Sequence, residues 1–346
     1  MANKHILVIL CDQLRYDAIA ANGNPNIHTP AFDSIAKDAA VFDRAITPSP
    51  VCVPARLSLM SGQYCARHGN NNNSHAKKYE GRGFYASLTE AGYHSCCVGK
   101  MHYAWDPYGS LGFASRHPQE ELSAVGDEYM EFIKANYPHV FDYNGHRSEM
   151  YYVPQISQLP PSAHPTQWVG DRSVEFLESA DPNQPTFLFA SFIHPHPPFC
   201  PPAPWNKIYR YEGESPFIPE NSEDFKPLLH TQFAWDRLGI SDIDGRKLRN
   251  FYYACVSFVD YQVGRILDTL KKKGMYDDTL ILVTSDHGEM LGDYRNMGKR
   301  TMLDGAAHVP FILKVPGGKH TVRHDVCSLV DVAPTLLSYA GVDYER

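Results

Sequence analysis

His5-Ile6-Leu7-Val8-Ile9-Leu10-Cys11-Asp12-Gln13 is an unbroken apolar, β-branched run that ends on a carboxylate and an amide. A strand solvated on one face alternates apolar and polar residues, so an unbroken run predicts a strand covered on both faces, as in a parallel sheet between helices. Ligands gather at the carboxyl ends of such strands, which puts Asp12 where a metal-binding carboxylate would stand; the plain alternative is an Asp that starts a turn. The pattern recurs outward from this run. Thr279 to Thr284 is a second buried strand, followed by Ser285-Asp286-His287-Gly288-Glu289. Thr186 to Ile193 is a third and delivers His194-Pro195-His196-Pro197-Pro198-Phe199. His94 to Val98 leads into Gly99-Lys100-Met101-His102, where Lys100 and His102 face one side of an extended segment. Val41 to Ile46 and Phe311 to Val315 read as further strands.

Helices are expected from Pro30, behind Thr29, to Ala39, over Ala86 to Gly92, Pro165 to Ala180, Gly245 to Lys273 and Asp331 to Ala340. The longest carries a core-facing stripe of Phe251, Cys255, Phe258, Val259, Val263, Ile266 and Leu270, with Asp260 as a structural partner inside it. Alternating strands and helices predict an α/β fold, a large, mostly parallel β-sheet flanked by helices on both faces. In that sheet the tips bearing Asp12 and Asp286-His287 lie on one edge, an oxygen-rich pairing suited to a hard divalent cation.

The 346 residues allow one large domain or two ordinary ones, and 43% hydrophobic content provides for a substantial core. A formal net charge of −7 without a long basic run argues against nucleic acid as a partner, so an anionic substrate would need locally concentrated positive charge. The eight cysteines include no Cys-x-x-Cys pair, and Cys96 and Cys97 are adjacent, so reduced thiols are expected. Asp12 interrupts the N-terminal apolar run before a signal-sequence core is complete, and no stretch is long enough to span a membrane. A cytoplasmic protein without membrane contact is the expectation.

Ser49-Pro50-Val51-Cys52-Val53-Pro54-Ala55-Arg56 places a cysteine at a helix mouth. Pro54 suits a first helical turn, the N–H groups and dipole there favour an anion, and Arg56 projects to the same side one turn on. The competing reading is a buried cysteine ahead of an amphipathic helix. Cys52-x-Pro54-x-Arg56 resembles the signature of type I sulfatases, in which this cysteine is oxidised to formylglycine; the related phosphonate monoester hydrolases of the alkaline-phosphatase superfamily have a similar one. The likeness extends from Ile6 to Gly341 and includes Gly99-Lys100-Met101-His102, the Pro195-His196-x-Pro198 segment and Asp286-His287. It implies a sulfatase-like catalytic domain over residues 1–346, with the usual small C-terminal subdomain missing or incomplete.

The resemblance also implies a chemistry. Cys52, as formylglycine, hydrates to a geminal diol; one hydroxyl attacks sulfur, and the other loses a proton so that the hemiacetal collapses and releases sulfate. Asp12, Gln13, Cys52, Asp286 and His287 would hold the divalent metal, calcium with manganese as the alternative that an imidazole ligand admits. Lys100, Lys299 and His196 would clamp the anion and serve the leaving group, and Arg56 and His102 would orient the diol. A formylglycine-generating maturation enzyme is the implied partner. Asn73, in the run Asn70 to Asn73, matches an active-site asparagine of the family. His308 departs from the family's Arg-Val-Pro. Asp12-Gln13 and Asp286-His287 depart from the commoner Asp-Asp and Asp-Asn and resemble choline sulfatases and phosphonate or phosphodiester hydrolases.

Residues 103–164 show no sustained periodicity and are rich in aromatics, proline and glycine, which reads as a variable lid that chooses the substrate, or equally as a structural insertion. Trp105, Tyr108, His146, Arg147, Tyr151 and Tyr152 within it suit stacking on a sugar ring and pairing with its sulfates or carboxylates. The sequence-based expectation is therefore a sulfatase acting on a carbohydrate sulfate. A phosphonate monoester or phosphodiester hydrolase, and a non-catalytic binding module, are the alternatives.

Overall fold

The computed structural model describes residues 4–74, 76–103, 105–121, 125–140, 152–209 and 233–344. Its strands are β1 (His5–Cys11), β2 (Ala40–Phe42), β3 (Ala45–Ile46), β4 (His94–Gly99), β5 (Ser115–Pro118), β6 (Thr186–Phe192), β7 (Thr279–Ser285), β8 (Phe311–Lys314), β9 (Thr321–Arg323) and β10 (Cys327–Ser328). Its helices are α1 (Pro30–Ala36), α2 (Cys52–Ser61), α3 (Cys65–His68), α4 (Phe84–Glu90), α5 (Glu128–Asn136), α6 (Pro165–Ser179), α7 (Trp235–Leu238), α8 (Asp242–Lys272), α9 (Asp304–Ala307) and α10 (Val332–Ala340). An eight-stranded sheet runs β5-β4-β6-β1-β7-β8-β2-β9, in which only β8 opposes the rest.

The unbroken run of β1 is explained by its two faces. Leu7, Ile9 and Cys11 join one core with Leu188, Ala190 and Ile281 beneath α1, α6 and α8. Ile6, Val8 and Leu10 join a second with Phe187, Phe189 and Leu280 beneath α2, α4 and α10. Period-two alternation thus divides one apolar strand between two helical layers. Each such side chain, fully buried, contributes about 1.5–3 kcal/mol of transfer free energy.

Three local expectations are revised. The helix read to Ala39 ends at Ala36, and Ala39 accepts a bond from Thr321 N at 3.0 Å where the chain enters the sheet. The strand read over Val41 to Ile46 is split by Asp43-Arg44, so β2 joins the main sheet while β3 pairs with β10. The stretch 103–164 contains a sheet-edge strand, β5, and a helix, α5. Neither has a periodic signature: β5 is Ser-Arg-His-Pro at the sheet edge with only Pro118 buried, and α5 buries only Tyr129, Met130 and Ile133. All eight cysteines are free thiols, and among the described residues no helix is long and apolar enough to cross a membrane.

Candidate active site

Parallel register brings the strand tips to one level. Cys11 lies opposite both Phe192 and Ser285, and Gly99 lies opposite Ser191, so β1, β4, β6 and β7 all end on the same edge. From that edge come Asp12 and Gln13, Lys100 and His102, His196, and Asp286 with His287. The turns are tight. Gln13 and His102 adopt left-handed φ of 67° and 60°, a strained conformation of the kind that collects at functional sites. Gly99 has a φ of 96°, and a Cβ there would lie 2.0 Å from the Ser191 carbonyl oxygen.

Cys52 opens α2, a helix buried at every position from Cys52 to Ser61, so the cysteine is buried, as the competing reading had it, but the helix is not amphipathic. Its Sγ lies 3.2 Å from His287 Nε2 and receives a 3.2 Å contact from Lys299 Nζ. Asn73 Oδ1 accepts from Val53 N at 2.9 Å and so satisfies one of the open N–H groups of α2. Arg56 ties the helix to four strand tips. Its Nε donates to Asp286 at 2.7 Å, Nη2 to Asp12 at 3.3 Å, and Nη1 to the Lys100 carbonyl at 2.8 Å and to Ser191 Oγ at 3.1 Å.

The cations are distributed around the sulfur. Lys299 Nζ also donates to Gln13 Oε1 at 2.9 Å, and Gln13 Nε2 donates to Glu289, so the Gln13 amide faces these two groups. Lys100 Nζ sits between the carboxylates of Asp12 and Glu121. His102 is held by backbone donation from its own N–H to Glu120 at 3.1 Å, and its imidazole reaches the Cys52 side chain. His196 bonds the Pro197 carbonyl through Nδ1 at 2.8 Å and turns Nε2 to Glu121 at 3.4 Å.

Electrostatics follow this geometry. Burial opposes ionisation of Cys52, but Lys299, Lys100 and His287 overcome it and hold the thiol well below its usual range. The Asp12 carboxyl is likewise held low: burial and Cys52 oppose its charge, and Lys100, His196 and Arg56 prevail. Burial disfavours the charged His287, but Asp286 raises its affinity for a proton.

The site fits a divalent cation. Asp12, Cys52, Asp286 and His287 each offer a ligand atom within 4.8 Å of the others, all buried. Asp12 Oδ1 is wholly enclosed and has no hydrogen-bond partner, while His287 Nε2 stands 3.6 Å from it. A partnerless buried carboxylate oxygen beside a second carboxylate is the surrounding a hard cation satisfies.

Some sequence-derived residues stand apart. Trp105 stacks on Tyr103 at 5.1 Å and lines a cleft with Tyr79, Arg82 and Leu111, to which the charged residues around Cys52 do not contribute. Tyr152 is buried and donates to Glu289 at 3.1 Å. His146, Arg147 and Tyr151 lie outside the described residues. His308 stacks on Tyr16 at 3.9 Å. Two site residues were missed. Glu289, which accepts from Gln13, Tyr152, Leu291 N and Gly298 N, follows directly on the Asp286-His287 tip, so its signal was present. Glu121 lies in a stretch without period and gave none.

The sequence pattern of the Sulfatase family matches residues 4–342. An arylsulfatase of Clostridium perfringens is 30% identical over 98% of this chain and 75% of its own length. A choline-sulfatase of Rhizobium meliloti is 28% identical over 99% of this chain and 68% of its own. The crystal structure of a phosphonate monoester hydrolase of Agrobacterium radiobacter superposes with a TM-score of 0.84 at 25% identity, covering 98% of this chain and 74% of that one. With the family pattern matched almost from end to end and an arylsulfatase 30% identical over nearly the whole chain, the chain belongs to the sulfatase family.

Proposed function

We propose that this enzyme hydrolyses a sulfate ester, with Cys52 converted to formylglycine and a divalent cation held by Asp12, Asp286, His287 and residue 52, Gln13 completing the set. The observation that carries the reading is the enclosure of one sulfur atom by Lys299, His287, Lys100 and His102 at the common edge of four strands. When formed, formylglycine supplies a hydroxyl nucleophile, and the cation, calcium in preference to manganese, supplies Lewis-acid charge beside it. The chain's own groups do the rest. Lys100 and Lys299 neutralise the ester's anionic oxygens, His196 gives a proton from Nε2 to the leaving alcohol, and His102 and Arg56 keep the nucleophile in line.

Peptide mass spectrometry on protein expressed beside a formylglycine-generating maturation enzyme should find residue 52 converted, and Cys52→Ala should lower kcat/KM for an aryl sulfate by about 10³-fold or more. Unmodified thiol in a competent host would refute the formylglycine reading. The substrate favoured is a carbohydrate sulfate, selected by the variable stretch 103–164 with Asn73 and Arg147 as contacts. A screen of sulfated mono- and disaccharides beside choline sulfate tests it, with Arg147→Ala expected to weaken the best sugar.

One observation favours a second reading. The Agrobacterium neighbour superposes with a TM-score of 0.84 and is a phosphonate monoester hydrolase. Aryl sulfate, phenyl phosphonate and bis-aryl phosphate assayed side by side decide between them, and a larger kcat/KM for either phosphorus ester reverses the preference.

A further inference from the structure

Lys100 and His196, two of the cations assigned to the ester's anion, already face an anion that the chain itself supplies. The Glu121 carboxylate accepts from Lys100 Nζ, stands 3.4 Å from His196 Nε2, and shares a cluster with Cys52 and His196 whose ligand atoms all lie within 4.8 Å. Lys100, His102 and His196 hold Glu121 ionised against the burial that opposes its charge. A sulfate group reaching both Lys100 and His196 beside residue 52 would bring its oxygens to where the Glu121 oxygens now are.

The residue before Glu121 is held on several sides, while the Glu121 side chain keeps some exposure. Glu120, its neighbour, accepts from Met101 N at 2.8 Å, from His102 N at 3.1 Å and from Arg116 at 3.0 Å, and its own N–H donates to Asp127 at 2.8 Å. Asp127 in turn caps α5, accepting from Met130 N at 2.9 Å. The Glu121 side chain is 16% exposed, where Lys100 and Asp12 have no exposure at all. Rotation about its side-chain bonds toward that exposed side is the route by which the carboxylate would vacate the position.

We propose that Glu121 is a built-in competitor for the anion subsite, a carboxylate that the substrate's sulfate displaces from Lys100 and His196. The inference rests on the reading of those two residues as the anion clamp. Substrate then meets a site that is competent only when Glu121 is out, and its apparent Kd is the intrinsic one divided by that fraction. Glu121 so sets how strongly a sulfate ester must bind to be accepted.

The test is calorimetric titration of inorganic sulfate into the purified enzyme supplied with calcium, as wild type, Glu121→Gln and Glu121→Ala. Both variants should bind sulfate about tenfold tighter or more, the gain expected if the competitor fills the subsite at least nine-tenths of the time. KM for an aryl sulfate should fall by the same factor as the sulfate Kd, a parallel that a merely structural role would not produce. Sulfate affinity unchanged or weakened in both variants overturns the proposal, as does a fall in kcat of Glu121→Gln comparable to that of Cys52→Ala. Because sulfate binding is read at equilibrium, absence of turnover in all three proteins would count against the sulfatase reading alone.

Discussion

Asp12 and Asp286 are both wholly buried and only one strand apart, so two carboxylates meet in a low-dielectric edge where neither can be solvated. The Arg56 guanidinium reaches both, and burial, which would weaken it as an acid-holding base, is overcome by Asp286 and Asp12. Lys100 adds a second cation on Asp12. Removing one partner of such a pair costs more than the pair contributes, because the other charge stays buried. Arg56→Met should accordingly lower the unfolding free energy by about 3–5 kcal/mol. Urea unfolding measures it, and added calcium should restore part of the loss by neutralising the same carboxylates. An unchanged urea midpoint would mean that Arg56 is not what balances them.

Between elements, the tie with a measurable pH signature is Asp260, which projects from α8 and accepts from Ala31 N at 3.0 Å and Phe32 N at 2.8 Å, covering the first turn of α1. Burial pushes its carboxyl up to about 7, although both N–H bonds favour the charged form. The native state therefore keeps a proton that the unfolded chain has already released. Stability from this group is full below pH 4 and falls as pH rises to about 7, after which it is flat. Relative to Asp260→Asn, which cannot ionise, wild type should lose roughly 4 kcal/mol across that window, each tenfold in acidity being about 1.4 kcal/mol. The variant's own deficit, from an amide facing an N–H, is constant with pH, so the slope is the readout. A wild type that parallels the variant would show that Asp260 is ionised throughout.

Elements of this kind also mark what the sequence could show. β1, β6 and β7 were legible because burial on both faces leaves an unbroken apolar run, and their tips named Asp12, His196, Asp286 and His287. α8 was legible from its stripe. β5 and α5 were not, since three half-buried polar residues followed by a buried proline, and a nine-residue helix with three buried side chains, impose no period. Glu121, which depends on them for its position, was invisible for the same reason. Trp105 was drawn into the substrate group by residue type alone, and its stacking on Tyr103 is a packing relation that type does not encode.

At the scale of the whole molecule, the site joins segments as distant in sequence as Asp12 and His287, and one ion would bridge them. Asp12, residue 52, Asp286 and His287 come from β1, α2 and β7, so a cation held by all four can bind only the folded chain. Anything that binds the native state alone stabilises it by mass action, about 2.7 kcal/mol at a hundredfold excess over Kd. For a chain of 346 residues that corresponds to a rise in Tm of a few degrees. Scanning calorimetry should show Tm rising with calcium, falling back with a chelator, and rising again on calcium or manganese resupply. Calcium restoring more than manganese would reflect the oxygen ligands, and the reverse would give the decisive weight to the His287 imidazole. Asp286→Asn should abolish the increment without removing Lys100 or Lys299, which separates ion binding from general charge balance. If chelation leaves the wild-type Tm where it was and Asp286→Asn behaves like the parent, the buried, partnerless oxygen of Asp12 is not a metal ligand.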